Sequence, residues 1–225
     1  MSRILVDQIR SNSASGDAIT LDGNGKCAIN ATTINSLTFP TSDGSANQLI
    51  KTNGSGTLSF ETVSAGITMA DSWRITSSFS VGSGSNDITS NWERDDNNFE
   101  KIGTGLTESS GIFSFPATGI YEVKAHSMFY TGGGTNTPYA GIALQGTTDN
   151  SSYSSRAAAY SSQSDDLGTA RYHNVHASAI FDVTDTSNVK FKITTFKDVN
   201  YGDCAFMGDS GDNYTYVEVI RLGDT

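Results

Sequence analysis

The sequence predicts an all-β chain: a C-terminal antiparallel double-sheet sandwich, preceded by a short region rich in β-hairpins. Three observations predict it. Apolar residues alternate with polar ones at a period of two in Gly111–Tyr130, where Phe113 and Phe115 precede a corner at Pro116 and Gly119. Tyr121, Val123 and Ala125 then alternate with Glu122, Lys124 and His126, which is strand periodicity. Glycine is abundant at 23 residues, and Ser, Thr, Asn and Asp fill most of the polar positions, the composition of strands joined by turns. No long run of Ala, Leu, Glu and Lys occurs at helical spacing.

Two segments are expected. Residues 1–66 hold only short apolar clusters, such as Ile4-Leu5-Val6, Ile19–Leu21, Leu49-Ile50 and Leu58–Phe60. None is large enough to bury a core alone, so this region must wrap around copies of itself or dock on a partner. Ile19–Ile29 and Ile50–Phe60 align at an offset of 31 residues. Asp22-Gly23 and Asn53-Gly54 signal two-residue type I′ turns, so each copy reads as strand, tight turn, strand. Either the two are a true repeat or they are two glycine-rich hairpins that look alike; two copies are too few for a solenoid. Residues 61–70 read as a connector.

Residues 67–225 form a continuous series of strand candidates: Trp73–Val81, Ile88–Trp92, Ile112–Phe115, Ile120–Tyr130, Ala140–Leu144, Tyr172–Phe181, Val189–Phe196 and Tyr214–Leu222. About eight antiparallel strands suit a jelly roll. Gln145–Arg171 reads as one long loop, and Gly208–Gly211 as a polar turn. In the last strand Val217 and Val219 share one face. Tyr214, Tyr216 and Ile220 share the other, with only Glu218 charged between them. A strand apolar on both faces is covered on both. Either these three residues line a three-fold contact, or the tyrosines are tolerated on an exposed face.

The Phe-x-Phe-Pro-x-x-Gly-Ile-Tyr motif at Phe113–Tyr121 resembles the middle of the globular heads of the complement and tumour-necrosis-factor superfamily. Asn91–Asp95, Gly141–Gln145, Ala177–Ile193 and Tyr214–Leu222 are similar to further strands of those heads in the same order. The chain departs from the pattern in its longer Gln145–Arg171 segment and in Tyr216-Val217, where the family has an aromatic-Gly pair. The resemblance implies a homotrimeric jelly-roll head that binds other molecules and catalyses nothing. Separately, Ala46–Phe60 resembles a segment common in phage tail-fibre stems, with Asn47 and Phe60 where Gly and Trp are usual.

Charge narrows the partners. The net charge is −10, so the basic surface that nucleic acid requires is missing and anionic membranes are disfavoured. No run approaches the roughly 20 apolar residues of a membrane helix. The N-terminal apolar run is three residues long, short of the about 7–15 of a signal peptide; the expectation is synthesis in a host cytoplasm and residence in a virion. Two cysteines, Cys27 and Cys204, far apart in sequence, read as free thiols.

Catalytic and metal patterns fail on chemistry. Gly208-Asp-Ser-Gly211 is similar to a serine-protease nucleophile motif, but Asp212 replaces the second glycine and no suitable histidine is near in sequence. His173 and His176 lie three apart, so on a strand they point to opposite faces. The acidic clusters Asp95-Asp96, Asp165-Asp166 and Asp203…Asp209…Asp212 follow no calcium-loop pattern; solvated loops and calcium sites both remain open. No cofactor is expected. Binding is placed in the Tyr-, Ser- and Asn-rich loops, through Asn136, Tyr139, Tyr153, Arg156, Tyr160, Asp165 and Asp166, a composition that suits adaptable recognition of a host-surface glycan or protein; inert loops are the other reading. Ile4, Leu5 and Val6 are the expected docking segment for other virion proteins. The functional expectation is a trimeric bacteriophage fibre or spike. Its rivals are a capsid decoration or head fibre without receptor, and a polysaccharide-degrading tail enzyme.

Overall fold

The computed structural model describes residues 8–9, 19–21, 27–29, 33–62, 66–97, 99–132, 137–163, 171–198 and 204–225, with no helix among them. The chain divides into two compact units, Met1–Ala65 and Gly66–Thr225.

The first unit is a set of small antiparallel pairings. Strands β1 (Gln8–Ile9), β2 (Ile19–Leu21) and β3 (Cys27–Ile29) form one sheet. Strands β4 (Thr33–Ile34) and β5 (Leu37–Thr38) form a hairpin, as do β6 (Gln48–Thr52) and β7 (Leu58–Thr62). The closing pairs Leu21 with Cys27 and Thr52 with Leu58 are related by the same 31-residue offset as the sequences. The expected two-residue turn at Asn53-Gly54 is not formed. Only Gly54 and Gly56 take positive φ there, 75° and 86°. The Asn53 side chain accepts hydrogen bonds from the Ser55 and Thr57 amides instead, at 2.8 and 3.0 Å, so the side chain stands in for a backbone turn and opens the loop to five residues. The two-residue turn with both φ positive occurs at Asn35-Ser36, 49° and 68°. Asp22-Gly23 and the docking candidates Ile4, Leu5 and Val6 lie outside the described residues.

The second unit is a sandwich. Its first sheet contains β8 (Ala70–Ile75), β9 (Ser77–Ser80), β11 (Trp92–Arg94), β12 (Lys101–Ile102), β15 (Gly119–Thr131), β18 (Arg171–Val183), β20 (Cys204–Asp209) and β21 (Thr215–Gly223). Strand β15 is its centre: β18 lies along one side, and β21 with β20 along the other. The second sheet contains β10 (Gly84–Asp87), β13 (Thr107–Ser109), β14 (Ile112–Ser114), β16 (Thr137–Thr147), β17 (Ser154–Gln163) and β19 (Lys190–Lys197), in the order β13-β14-β19-β16-β17 with β10 beside β19. All pairings are antiparallel.

Several expectations are corrected here. The first predicted strand begins at Ala70 and breaks at Thr76, whose amide bonds the Asn91 carbonyl at 2.9 Å. Ile88–Asn91 is a link rather than a strand, anchored by the buried Ile88 with Thr89–Asn91 exposed: the Ile88 amide donates to the Ile193 carbonyl and the Trp92 indole donates back to the Ile88 carbonyl. Gln145–Arg171 is not one loop. Strand β17 runs through it, turning Ala157, Ala159 and Ser161 toward the interior, where small side chains fit at the sheet edge. Gly208 and Asp209 are not in a turn but end a further strand, β20, and the polar turn begins after them.

The core is aromatic. Phe113 stacks on Phe191 at 4.9 Å and receives the edges of Trp73 and Trp92 at 5.8 and 5.0 Å. Phe115 packs on Tyr121, Phe181 and Phe191. The corner motif explains itself in this packing. The buried Tyr121 hydroxyl donates to the Ala117 carbonyl at 2.9 Å. Gly119 has φ 145°, and a Cβ there would sit 2.6 Å from the Gly223 carbonyl oxygen. Beside the core, the fully buried Asp71 accepts from the Arg94 guanidinium at 2.9 Å, the Trp73 indole at 3.1 Å and the Leu106 amide at 2.6 Å. Arg94 also lies over the Trp73 ring at 4.6 Å. Removing this carboxylate leaves the Trp73 indole and the Leu106 amide without their acceptor and Arg94 without its counter-charge, with only the Leu106 carbonyl at 2.7 Å to bond among the described residues. Asp71→Ala is expected to lower the unfolding free energy by about 3–5 kcal/mol, read as a fall in urea midpoint.

Candidate functional site

Each sheet turns one face to the core and the other outward. On the first sheet, β15 buries its odd-numbered residues and presents Ile120, Glu122, Lys124, His126, Met128 and Tyr130 outward. Register then places aromatic side chains together. Tyr130 lies opposite Tyr172, with ring centroids 5.6 Å apart, and His126 lies opposite Tyr216, at 5.0 Å. His126 also lies opposite His176 on β18. Ile180 and Tyr172 on this face are 58% and 61% exposed. Tyr214, Tyr216 and Ile220 belong to it and are half-buried. A recess of about 310 Å³ borders Ile220 and is lined by Ile67, Phe99 and Ile102.

On the second sheet, the outward face carries three rings in mutual contact. Tyr139 stacks on Phe196 at 5.1 Å with 10° between planes; Tyr160 meets both edge-on, at 5.5 and 5.8 Å. Tyr160 is 50% exposed and Tyr139 38%. Two expected binding residues are thus brought together, and the third ring was missed. Its signal was parity: Phe191, Ile193 and Thr195 point inward, so Phe196 must point out.

The other expected binding residues are dispersed. Tyr153 lies under Lys192, whose Nζ is 4.6 Å from the ring centroid, and Lys192 also pairs with Asp87 at 2.6 Å. The Tyr153 hydroxyl is buried without a hydrogen bond, and burial, with the charges of Asp87 and Asp149, raises its pKa. Arg156 borders a separate recess of about 180 Å³ with Thr147, Ile180, Phe181 and Val189. Asn136, Asp165 and Asp166 lie outside the described residues.

The rejected patterns have structural roles. Asp209 accepts from the Gly211 and Asp212 amides at 2.6 and 3.2 Å, so the side chain closes a turn over Asp209–Asp212. His173 faces inward, stacked on Phe129 and bonded to the Ser161 hydroxyl at 3.0 Å, while His176 is exposed on the opposite face. Among the described residues, no three His, Cys, Asp or Glu side chains form a metal-sized group. Cys204 is a buried free thiol whose pKa burial pushes up to about 11, so it is protonated and unreactive at neutral pH. Asp95 and Asp96 hold the buried Arg74 guanidinium at 3.1 and 2.6 Å, and Asn213 bonds the other Asp95 oxygen at 2.9 Å. That part of the acidic cluster ties two loops together.

These sheets and their order define a tumour-necrosis-factor-like jelly roll. Eiger TNF from S. frugiperda superposes with a TM-score of 0.52 at 12% identity, covering 69% of this chain and 93% of that one. Murine APRIL superposes with a TM-score of 0.49 at 13% identity, covering 68% of this chain and 98% of that one. At 12% identity the likeness to Eiger TNF is one of fold. No family model matches the sequence, and no curated protein does.

Burial and, to a lesser degree, the Arg171 charge hold the His173 pKa below its ordinary value of 6.5. The unfolded chain therefore binds this proton at a higher pH than the native one. The His173 contribution is full above pH 6.5 and is lost as pH falls through that value toward the lower folded pKa. Urea midpoints should drop between pH 7.5 and pH 5, and His173→Gln should flatten that drop. An unchanged pH dependence in the variant overturns the assignment.

Proposed function

We propose that the chain is a trimeric virion appendage of a bacterial virus, with residues 1–66 as attachment and stem region and residues 67–225 as a head that binds a host-surface molecule. The observation that carries this reading is the outward face of the first sheet. Tyr130, Tyr172, Tyr216, Ile180 and Ile220 lie on this face across three adjacent strands, Tyr172 and Ile180 exposed and the others half-buried, interleaved with Glu122, Lys124, His126 and Glu218; a lone sandwich gains nothing from turning these large side chains to water. The apolar recess beside Ile220 extends the same surface. Large aromatic and aliphatic side chains gathered on an outward sheet face mark association sites, and identical faces on identical chains close by rotational symmetry.

The first unit points the same way. Leu49 and Ile50, successive residues of β6, are 60% and 54% exposed. Successive strand residues face opposite ways, so the hairpin offers apolar surface on both sides. An isolated hairpin is marginal in water; three chains side by side give such hairpins something to bury against. The similarity of Ala46–Phe60 to tail-fibre stems supports a viral source. Three heads per fibre would convert weak individual contacts into avidity.

The native mass of the purified chain tests the assembly. Light scattering should give three times the 23.8 kDa chain mass. Ile180→Asp places a charge on the proposed contact at a position already exposed in the single chain, and should give folded monomers with an unaltered circular dichroism spectrum. A wild-type monomer overturns the trimeric reading. Immunogold labelling of particles separates tail from capsid, and absence from both overturns the virion assignment.

A further inference from the structure

The outward face of the second sheet lies on the opposite side of the sandwich from the surface assigned to self-association, so assembly leaves it open. Cross-strand register sets Phe196, Gly141 and Tyr160 in a row across β19, β16 and β17. Tyr139 joins the two rings. Gly141 contributes no side chain, and none can be added: a Cβ there would sit 2.0 Å from the Ala159 carbonyl oxygen. The row is therefore a low floor with rings around it.

The next row along the strands is Thr194, Ala143 and Ala158, again small. Asp87 extends that row on the far side of Thr194, which donates to one of its oxygens at 3.0 Å; Lys192, two residues further along β19, pairs with the other at 2.6 Å and lies over the Tyr153 ring. From Phe196 to Lys192 is four residues, about 13 Å of extended chain. The face thus has rings at one end, a ring with a hydrogen-bonding ion pair at the other in which Asp87 is the more exposed partner, and between them small, closely packed residues, Thr194 and Ala143 buried.

Each ligand class makes different demands on such a strip. A nucleic acid needs positive charge to neutralise phosphates, and this chain carries −10. A caged ammonium needs rings held apart around it, whereas these rings touch one another at 5.1–5.8 Å. A sugar ring needs an aromatic face for its C–H bonds, whose positive hydrogens meet the negative π cloud. It also needs donors and acceptors for its hydroxyls, which Lys192 and Asp87 supply. Because the rings already brace one another, little side-chain entropy is lost on binding. We propose that this strip binds an uncharged oligosaccharide, its rings stacked on Tyr160 and Tyr139 and its hydroxyls bonded to Asp87 and Lys192. The proposal rests on the binding role given to the head and names its ligand class.

The test is isothermal titration of the full chain with short uncharged oligosaccharides of glucose, galactose, mannose, rhamnose and N-acetylglucosamine. At least one series should bind saturably. Tyr160→Ala should weaken it by about tenfold or more and Asp87→Asn by about fivefold, as for central contact residues, while Tyr160→Phe should stay within about twofold. Tyr160 is half exposed, so its variants should keep the wild-type melting temperature. Failure of every sugar to bind, or equal binding by wild type and Tyr160→Ala, overturns the proposal. Native mass on the same sample separates the two claims. A trimer that ignores sugars loses this site and keeps the assembly; a monomer that binds them keeps the site and loses the trimer.

Discussion

Everything in the head depends on the contact between two sheets at Phe113. This ring comes from the second sheet, stacks on Phe191 of the same sheet, and takes the edges of Trp73 and Trp92 from the first. A sheet with one apolar face cannot stay in water alone. Here the faces are joined by rings that interlock by shape, so the sheets cannot slide past one another without losing edge-to-face geometry. The buried Asp71, bonded to Arg94, Trp73 and Leu106, fixes the same corner from the polar side.

With the inner faces committed to each other, any function must lie on the outer faces, the rims or the first unit. The two outer faces differ in chemistry. One is a broad aromatic and aliphatic surface with a histidine pair opposite each other at His126 and His176. The other is a narrow strip of rings, small residues and one ion pair. The broad surface suits another protein surface, which buries many side chains at once; the strip suits a thin chain-like ligand. Assigning assembly to one and recognition to the other lets both operate together, which is what avidity requires.

Much of this was legible in the residues. The alternation over Ile120–Tyr130 placed the central strand and its buried side, and Pro116 and Gly119 placed the corner, which the structure closes with the Tyr121 hydroxyl on the Ala117 carbonyl. The split of the last strand into a valine face and a tyrosine face also appears in the structure. What misled was local chemistry with two outcomes. Asn53-Gly54 satisfies a tight turn by composition, but the Asn53 side chain competes for the Ser55 and Thr57 amides and widens the loop. The Ser- and Ala-rich run of β17 carries too little hydrophobic contrast to show a period, so an edge strand read as a loop.

The sequence by itself determined the strand class, the interior parity of the central strands and the corner, because these follow from neighbours in the chain: alternation, proline and glycine. Only the tertiary structure decided which outward side chains meet. Tyr139, Tyr160 and Phe196 sit on three strands and touch because Gly141 pairs with both Tyr160 and Phe196. That register is set by the packing of both sheets on the aromatic core, and a one-residue slip would turn every ring to the other face.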